Sequence, residues 1–148
     1  MKPASHRNTL AAIGVALVLA ACGAPTTRLA GINIAAASDA NANSATALDI
    51  VFVYHSDAAA LLPRTGPGWF DKKAALMAGL ASGIDVVSLE LPPGALLAAP
   101  LPPRYGKAIA VYSYANYIPL KGQAMGNLTP LKRITIRLMA ETIVYEGK

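Results

Sequence analysis

The chain has 148 residues, 13 Lys and Arg against 8 Asp and Glu, and a formal charge of +5. Its 54% apolar content is inflated by alanine and by one N-terminal run, and its single cysteine, Cys22, excludes an internal disulfide. The basic residues are scattered, Arg64, Lys72, Lys73, Arg104, Lys107, Lys121, Lys132, Arg133 and Arg137 among them, with no block of five like charges. That pattern reads as a solvated mixed-charge surface and argues against a nucleic-acid tract.

The chain opens on Lys2 and Arg7, followed by an apolar run from Leu10 and the small residues of Leu19-Ala20-Ala21-Cys22. Basic, apolar and small segments in that order make a secretory signal peptide. A cysteine directly after two alanines makes it a bacterial lipoprotein signal, with Cys22 acylated and carrying the membrane anchor. The apolar run from Leu10 to Ala21 is 12 residues, too short for a spanning helix of about 20. Residues 1–21 are then the signal, 22–27 a lipidated polar tether, and 28–148 one periplasmic domain. Gly23 lacks the Asp that commonly retains lipoproteins in the inner membrane, so the expected location is the outer membrane.

Along the domain, Ile32 and Ile34 give weak evidence for a first strand, and Ser38 to Thr46 reads as a loop by composition. Leu48 to Tyr54 is the strongest strand: Leu48, Ile50, Phe52 and Tyr54 share one face, while Asp49, Val51 and Val53 share the other. Leu61 to Gly68 reads as irregular. Trp69 to Leu80 reads as a short helix, with Phe70, Ala74, Met77 and Ala78 at helical spacing. Ile84 to Leu91 is a second clear strand closed by Pro92-Pro93-Gly94, and the proline-rich passage after it suits an edge or a crossing loop. Lys107 to Tyr114 alternates as a third. After a loop from Pro119 to Pro130, Arg133 to Leu138 points Ile134, Ile136 and Leu138 inward, and Glu141 to Tyr145 pairs back as the last strand. Short alternating strands between Pro/Gly turns predict an all-β, antiparallel two-sheet β-sandwich with one short helical insertion.

Nothing in this pattern points to catalysis. His55, Ser56 and Asp57 are adjacent on the chain, so their side chains diverge and do not form a triad. His55 reads as a solvated turn residue. No His, Cys or carboxylate set has metal-ligand spacing, and no cofactor is expected. Tyr112, Tyr114 and Tyr117 form an aromatic set that could serve as a sugar or peptide platform, but Tyr112 and Tyr114 read as half-buried strand residues with hydroxyls at the rim, and Trp69-Phe70 as a helix start capping the sandwich.

The serial order of these features resembles the type VI secretion outer-membrane lipoprotein family TssJ, from Cys22 to the C-terminus. The matching features are the lipobox, the strand within Thr27 to Ala36, and the Asn-rich loop Ser38-Asp39-Ala40-Asn41-Ala42-Asn43-Ser44. They continue through the strand Leu48 to Tyr54, the aromatic pair Trp69-Phe70, the strand Val86 to Gly94 with its Pro-Gly exit, Ile109 to Tyr117, and Arg133 to Leu138. The chain departs from the family pattern in carrying Glu90 alone before the Pro-Gly turn and in a Pro- and Gly-rich Arg64 to Gly68. The resemblance implies a transthyretin-like sandwich and a non-enzymatic role: docking the periplasmic C-terminal domain of the inner-membrane TssM component to the outer membrane. It places the partner contact on the loop between the first two strands, with Ser38, Asp39, Asn41, Asn43 and Ser44 as contact residues. The alternative reading is a free-standing lipoprotein binding a small ligand or peptidoglycan, which a cavity lined by Tyr112, Tyr114 and Trp69 would favour.

Overall fold

A computed structural model describes residues 26–147. Cys22 and the signal segment lie outside them. Among the described residues no helix is long and apolar enough to cross a membrane.

Eight strands form two four-stranded sheets. β1 (Gly31–Ala36), β4 (Leu96–Ala98), β7 (Arg133–Leu138) and β8 (Ile143–Gly147) make the first, in the order β4-β1-β7-β8. β2 (Thr46–Val53), β3 (Ile84–Leu91), β5 (Ala110–Ala115) and β6 (Gly126–Asn127) make the second, in the order β3-β2-β5-β6. Between the sheets, Ile34, Ile50, Phe52, Val111, Ile136 and Leu138 are fully buried. Each such side chain contributes about 1.5–3 kcal/mol relative to exposure.

The expectation of antiparallel pairing throughout is corrected at one place. β1 and β7 run parallel over six pairs, from Gly31 with Arg133 to Ala36 with Leu138. The whole second sheet lies between them in sequence, so no tight turn dictates their relative direction; a long crossover permits parallel pairing. The remaining pairs, β1–β4, β7–β8, β2–β3, β2–β5 and β5–β6, are antiparallel.

A second correction concerns the insertion after β2, which holds two helices: α1 (Ser56–Leu61) and α2 (Gly66–Gly79). α2 begins three residues before the expected start at Trp69. The Gly-Pro-Gly stretch that reads as irregular is its first turn, where Pro67 loses no hydrogen bond because its position needs no amide donor. The Thr65 hydroxyl caps this turn by accepting from the Gly68 amide at 3.2 Å. Gly66 is required there, because a Cβ would stand 2.0 Å from the Ala115 carbonyl oxygen.

The face of α2 also differs from the expected one. Trp69, Phe70, Lys73, Leu76 and Leu80 lie against the sheet, while Ala74, Met77 and Ala78 are exposed. The helices cover the outer face of the second sheet, which explains why β2 is buried on both sides: Val51 and Val53 pack under Trp69 and Ala58 in a second core. The outer face of the first sheet carries no such cover, and Asn33, Arg133 and Arg137 are exposed on it.

Candidate interaction surface

Two polar clusters pin the helical layer and the sheet edge. Asp49, in the middle of β2, is buried and accepts at one oxygen, Oδ2, from Trp69 Nε1 (2.7 Å) and Lys73 Nζ (2.7 Å). Lys73 also donates to the Ser88 hydroxyl at 2.9 Å, so its stem lies along the sheet where the helical pattern suggested an alanine face. Arg104 forms a fork on Asp85, with Nε to Oδ2 at 3.0 Å and Nη2 to Oδ1 at 2.9 Å, and stacks 4.0 Å above the Tyr54 ring. Tyr54 donates to the same carboxylate at 2.6 Å. The Arg104 hydrogen bonds hold the Asp85 carboxyl below its usual range, and burial pushes the Tyr54 hydroxyl up. In both clusters the carboxylate is held by a cation and by an aromatic donor, which ties the helical layer and the Arg104 segment to the sheet.

Trp69 and Tyr114 stack with ring centroids 5.0 Å apart and are both fully buried, so Tyr114 is a core residue and not a rim one. Its hydroxyl donates to the Pro63 carbonyl at 2.8 Å. The nearby hollow, about 230 Å³, is lined by Ala59, Leu62, Arg64, Tyr112, Met125 and Asn127, and includes neither Trp69 nor Tyr114. Stacked on each other and fully buried, Trp69 and Tyr114 do not form, among the described residues, the aromatic cavity on which the ligand-binding alternative would rest. His55 and Asp57 are exposed at the start of α1, where Asp57 Oδ1 accepts from the Ala58 amide at 3.0 Å.

The surface with distinctive geometry lies at the end of the sandwich where β1 and β7 finish and β2 begins. There Asn41, Ala42 and Asn43 take consecutive left-handed conformations, with φ of 49°, 54° and 61°, inside a single helical turn over Ala40–Asn43. Such a run is costly for L-residues; Asn tolerates it better than Ala. Three neighbouring segments hold it. The Asn41 amide donates to the Met139 carbonyl at 3.0 Å and to the Tyr117 hydroxyl at 3.3 Å, and the Ala42 amide donates to the Ala140 carbonyl at 3.0 Å. The Asn41 side chain donates to the Ala45 and Asn116 carbonyls, both at 3.3 Å, and accepts from the Ile118 amide at 2.7 Å. Tyr117 in turn donates to the Met139 carbonyl, and its ring sits on Gly122, where a Cβ would stand 2.0 Å from the ring edge.

The five expected contact residues thus divide. Ser38, Asp39 and Asn43 are exposed, and Ser44 is half-buried. Asn41, expected to present its amide outward, is 1% exposed with its side chain committed to the backbone of its neighbours. It shapes the loop and is not available to a partner. Around the loop stand large apolar side chains that the composition-based reading passed over: Leu120 at 83% exposure, Ile118 at 63% and Met139. The sequence signal was two large aliphatic residues flanking Pro119 inside a Pro/Gly loop. Lys121 and Glu141, 3.8 Å apart and both exposed, form a polar rim beside them. Apolar anchors ringed by polar groups on a braced loop are the anatomy of a protein-binding surface.

These features define a class: a two-sheet β-sandwich with one face covered by helices and a braced polar loop at one end. No family model matches the sequence, and no curated protein matches it. Among solved structures, the fold is similar to the type VI secretion lipoprotein TssJ1 from Pseudomonas aeruginosa, with a TM-score of 0.60 at 17% identity over 84% of this chain and 98% of that one. It is also similar to Lip of Serratia marcescens, a membrane bound component of the type VI secretion system (TM-score 0.53, 12% identity, 80% and 96% covered). A chain of a type VI membrane complex matches with a TM-score of 0.55 and 16% identity over 79% and 96%. The chain has the TssJ-like fold.

Proposed function

We propose that this protein is a lipid-anchored, non-enzymatic component of a type VI secretion membrane complex. In this reading it sits on the periplasmic face of the outer membrane and docks the periplasmic C-terminal domain of TssM. The observation that carries the reading is the overlay of nearly the whole of TssJ1 on this domain, joined to the Ala-Ala-Cys22 signal that precedes it. The family's transthyretin-like description belongs to the same reading. Support for the docking site comes from the loop end, where Asp39, Ala42 and Asn43 stand beside Ile118 and Leu120 on a frame held by Asn41 and Tyr117.

The test must spare that frame. A Ser38→Lys, Asp39→Lys, Leu120→Asp variant alters only exposed side chains outside the left-handed run. Calorimetry with the purified TssM periplasmic domain should show affinity falling at least about tenfold, on the order of 1.4 kcal/mol, with the denaturation midpoint unchanged. Undiminished affinity moves the contact to another surface. Absence of binding by the parent domain favours the free-standing ligand- or peptidoglycan-binding lipoprotein. Cys22→Ser should release the protein from the outer-membrane fraction; unchanged association refutes the anchor.

A further inference from the structure

At the opposite end of the sandwich the fold assembles four cations from three segments that are far apart in sequence. The Thr27 amide donates to the Ala108 carbonyl at 2.7 Å, and the Ala30 amide donates to the Lys132 carbonyl at 2.7 Å. These two bonds set Arg28 between Lys107 on one side and Lys132 and Arg133 on the other, and Gly31 pairs in register with Arg133. All four cationic side chains are exposed. Among the described residues none has a carboxylate within 4 Å, since the ion pairs formed are Lys73–Asp49, Arg104–Asp85, Lys121–Glu141 and Arg137–Glu146.

The acidic residues are mostly placed elsewhere or engaged by other cations. Asp39, Glu90 and Glu141 stand at the recognition-loop end and Asp71 lies on α2, while of the acids toward the basic end Asp57 sits on the helix side, Asp85 is engaged by Arg104, and Glu146, which borders the same hollow as Lys132 and Arg133, is engaged by Arg137. Unpaired positive charge is therefore concentrated at this end. The chain enters the domain at the basic end, and Cys22 precedes Thr26 by four residues, a reach of at most about 14 Å when extended. An acyl group on Cys22 would hold this end within about two Debye lengths of the bilayer at physiological salt. The exposed large apolar residues of the described chain, among them Leu61, Leu96 and Leu120, lie outside residues 26–30, 104–109 and 129–133, so this end offers charge without an inserting wedge.

We propose that Arg28, Lys107, Lys132 and Arg133 form a docking site for an anionic phospholipid surface. Resting on headgroup phosphates, they would stand the sandwich upright on its anchor and direct the recognition loop away from the membrane. The orienting role rests on the lipid-anchor reading, but the attraction to the surface does not.

The test uses residues 22–148 carrying Cys22→Ser, which contain every hydrogen bond and core residue described above. Sedimentation with phosphatidylcholine vesicles is compared with vesicles that also contain phosphatidylglycerol, at low and at high ionic strength. Binding should require phosphatidylglycerol and vanish at high salt. Each basic residue at such a surface accounts for about fivefold in partitioning, so Arg28→Gln, Lys107→Gln and Lys132→Gln together should lower it about a hundredfold. Arg64→Gln, Lys72→Gln and Lys121→Gln, with the same change in net charge, should lower it less than about tenfold. Equal losses in the two variants, or no salt-sensitive binding by the parent, overturn the proposal. So does a patch variant that binds vesicles normally but loses affinity for the TssM domain, which would assign the patch to a protein. Mass spectrometry of Cys22 in the membrane-extracted protein tests the anchor separately, and a free thiol there would leave the vesicle result standing.

Discussion

Replacing Asn41 should destabilise the whole domain, and the structure separates the contributions. In Asn41→Ala the Ile118 amide loses its 2.7 Å acceptor and the carbonyls of Ala45 and Asn116 lose their donors. Leaving this part-buried amide without its acceptor costs up to about 1–3 kcal/mol. Residue 41 must also keep φ 49° and ψ 47°, which costs an Ala side chain about 1–2 kcal/mol. The sum is about 2–5 kcal/mol, a large part of a small domain's margin. Asn41→Gly removes the same hydrogen bonds without the steric strain, so it should lie about 1 kcal/mol above Asn41→Ala. Ala42, exposed with φ 54° and no side-chain hydrogen bond, should behave in the opposite sense: Ala42→Gly relieves strain and should stabilise by up to about 1 kcal/mol. Urea denaturation of the four proteins measures all of this on one scale. The reasoning is refuted if Asn41→Ala costs less than 1 kcal/mol, or if Ala42→Gly destabilises by a comparable amount.

Phe52→Ala, in the core between the sheets, should cost about 3–5 kcal/mol, whereas Arg137→Ala should cost under about 0.5 kcal/mol because its ion pair with Glu146 is half exposed; denaturant melts in the reverse order would mean the β2 and β7 faces are misassigned. Gly122→Ala and Gly66→Ala should each lower the thermal midpoint far more than Gly106→Ala, whose added Cβ meets nothing within 4 Å. The Asp85 carboxyl is held low chiefly by Arg104, so its stabilisation is complete above the unfolded-state carboxyl range near pH 3.9 and is lost as pH falls through the lower folded value. The stability gap between the parent and Arg104→Gln should accordingly be constant near neutrality and narrow below about pH 4; parallel curves down to strong acid would show that the fork contributes nothing through protonation.

Much of the architecture was legible because a strand with one face in water and one in a core must alternate. Arg133 to Leu138 does so, and its inward and outward residues are as the alternation predicts. The same rule marked Leu48, Ile50 and Phe52 as core. Local chemistry was less readable where two rules met. The Gly-Pro-Gly of residues 66–68 signals a turn by composition but opens a helix, because a capping Thr65 and a helical first turn that needs no amide donors suit those residues. The parallel pairing of β1 with β7 leaves no local trace, since pairing direction between distant strands is set by how the intervening chain folds.

For the interaction surfaces the division is sharper. Composition alone locates a polar loop at Ser38 to Thr46, because Asn, Asp and Ser resist burial in a core. Which of them face outward is a tertiary matter. Asn41 is turned inward by hydrogen bonds to residues 45, 116 and 118, and the last two partners are more than 70 positions away. The basic end is decided the same way. In sequence, Arg28, Lys107, Lys132 and Arg133 are part of an even scatter; two backbone hydrogen bonds from residues 27 and 30 bring them to one end. Periodicity along a chain records which side of an element meets the core, and that much the sequence determined by itself. Charge and shape at a surface depend on which distant segments become neighbours, and those long-range pairings exist only once the two sheets have closed on each other.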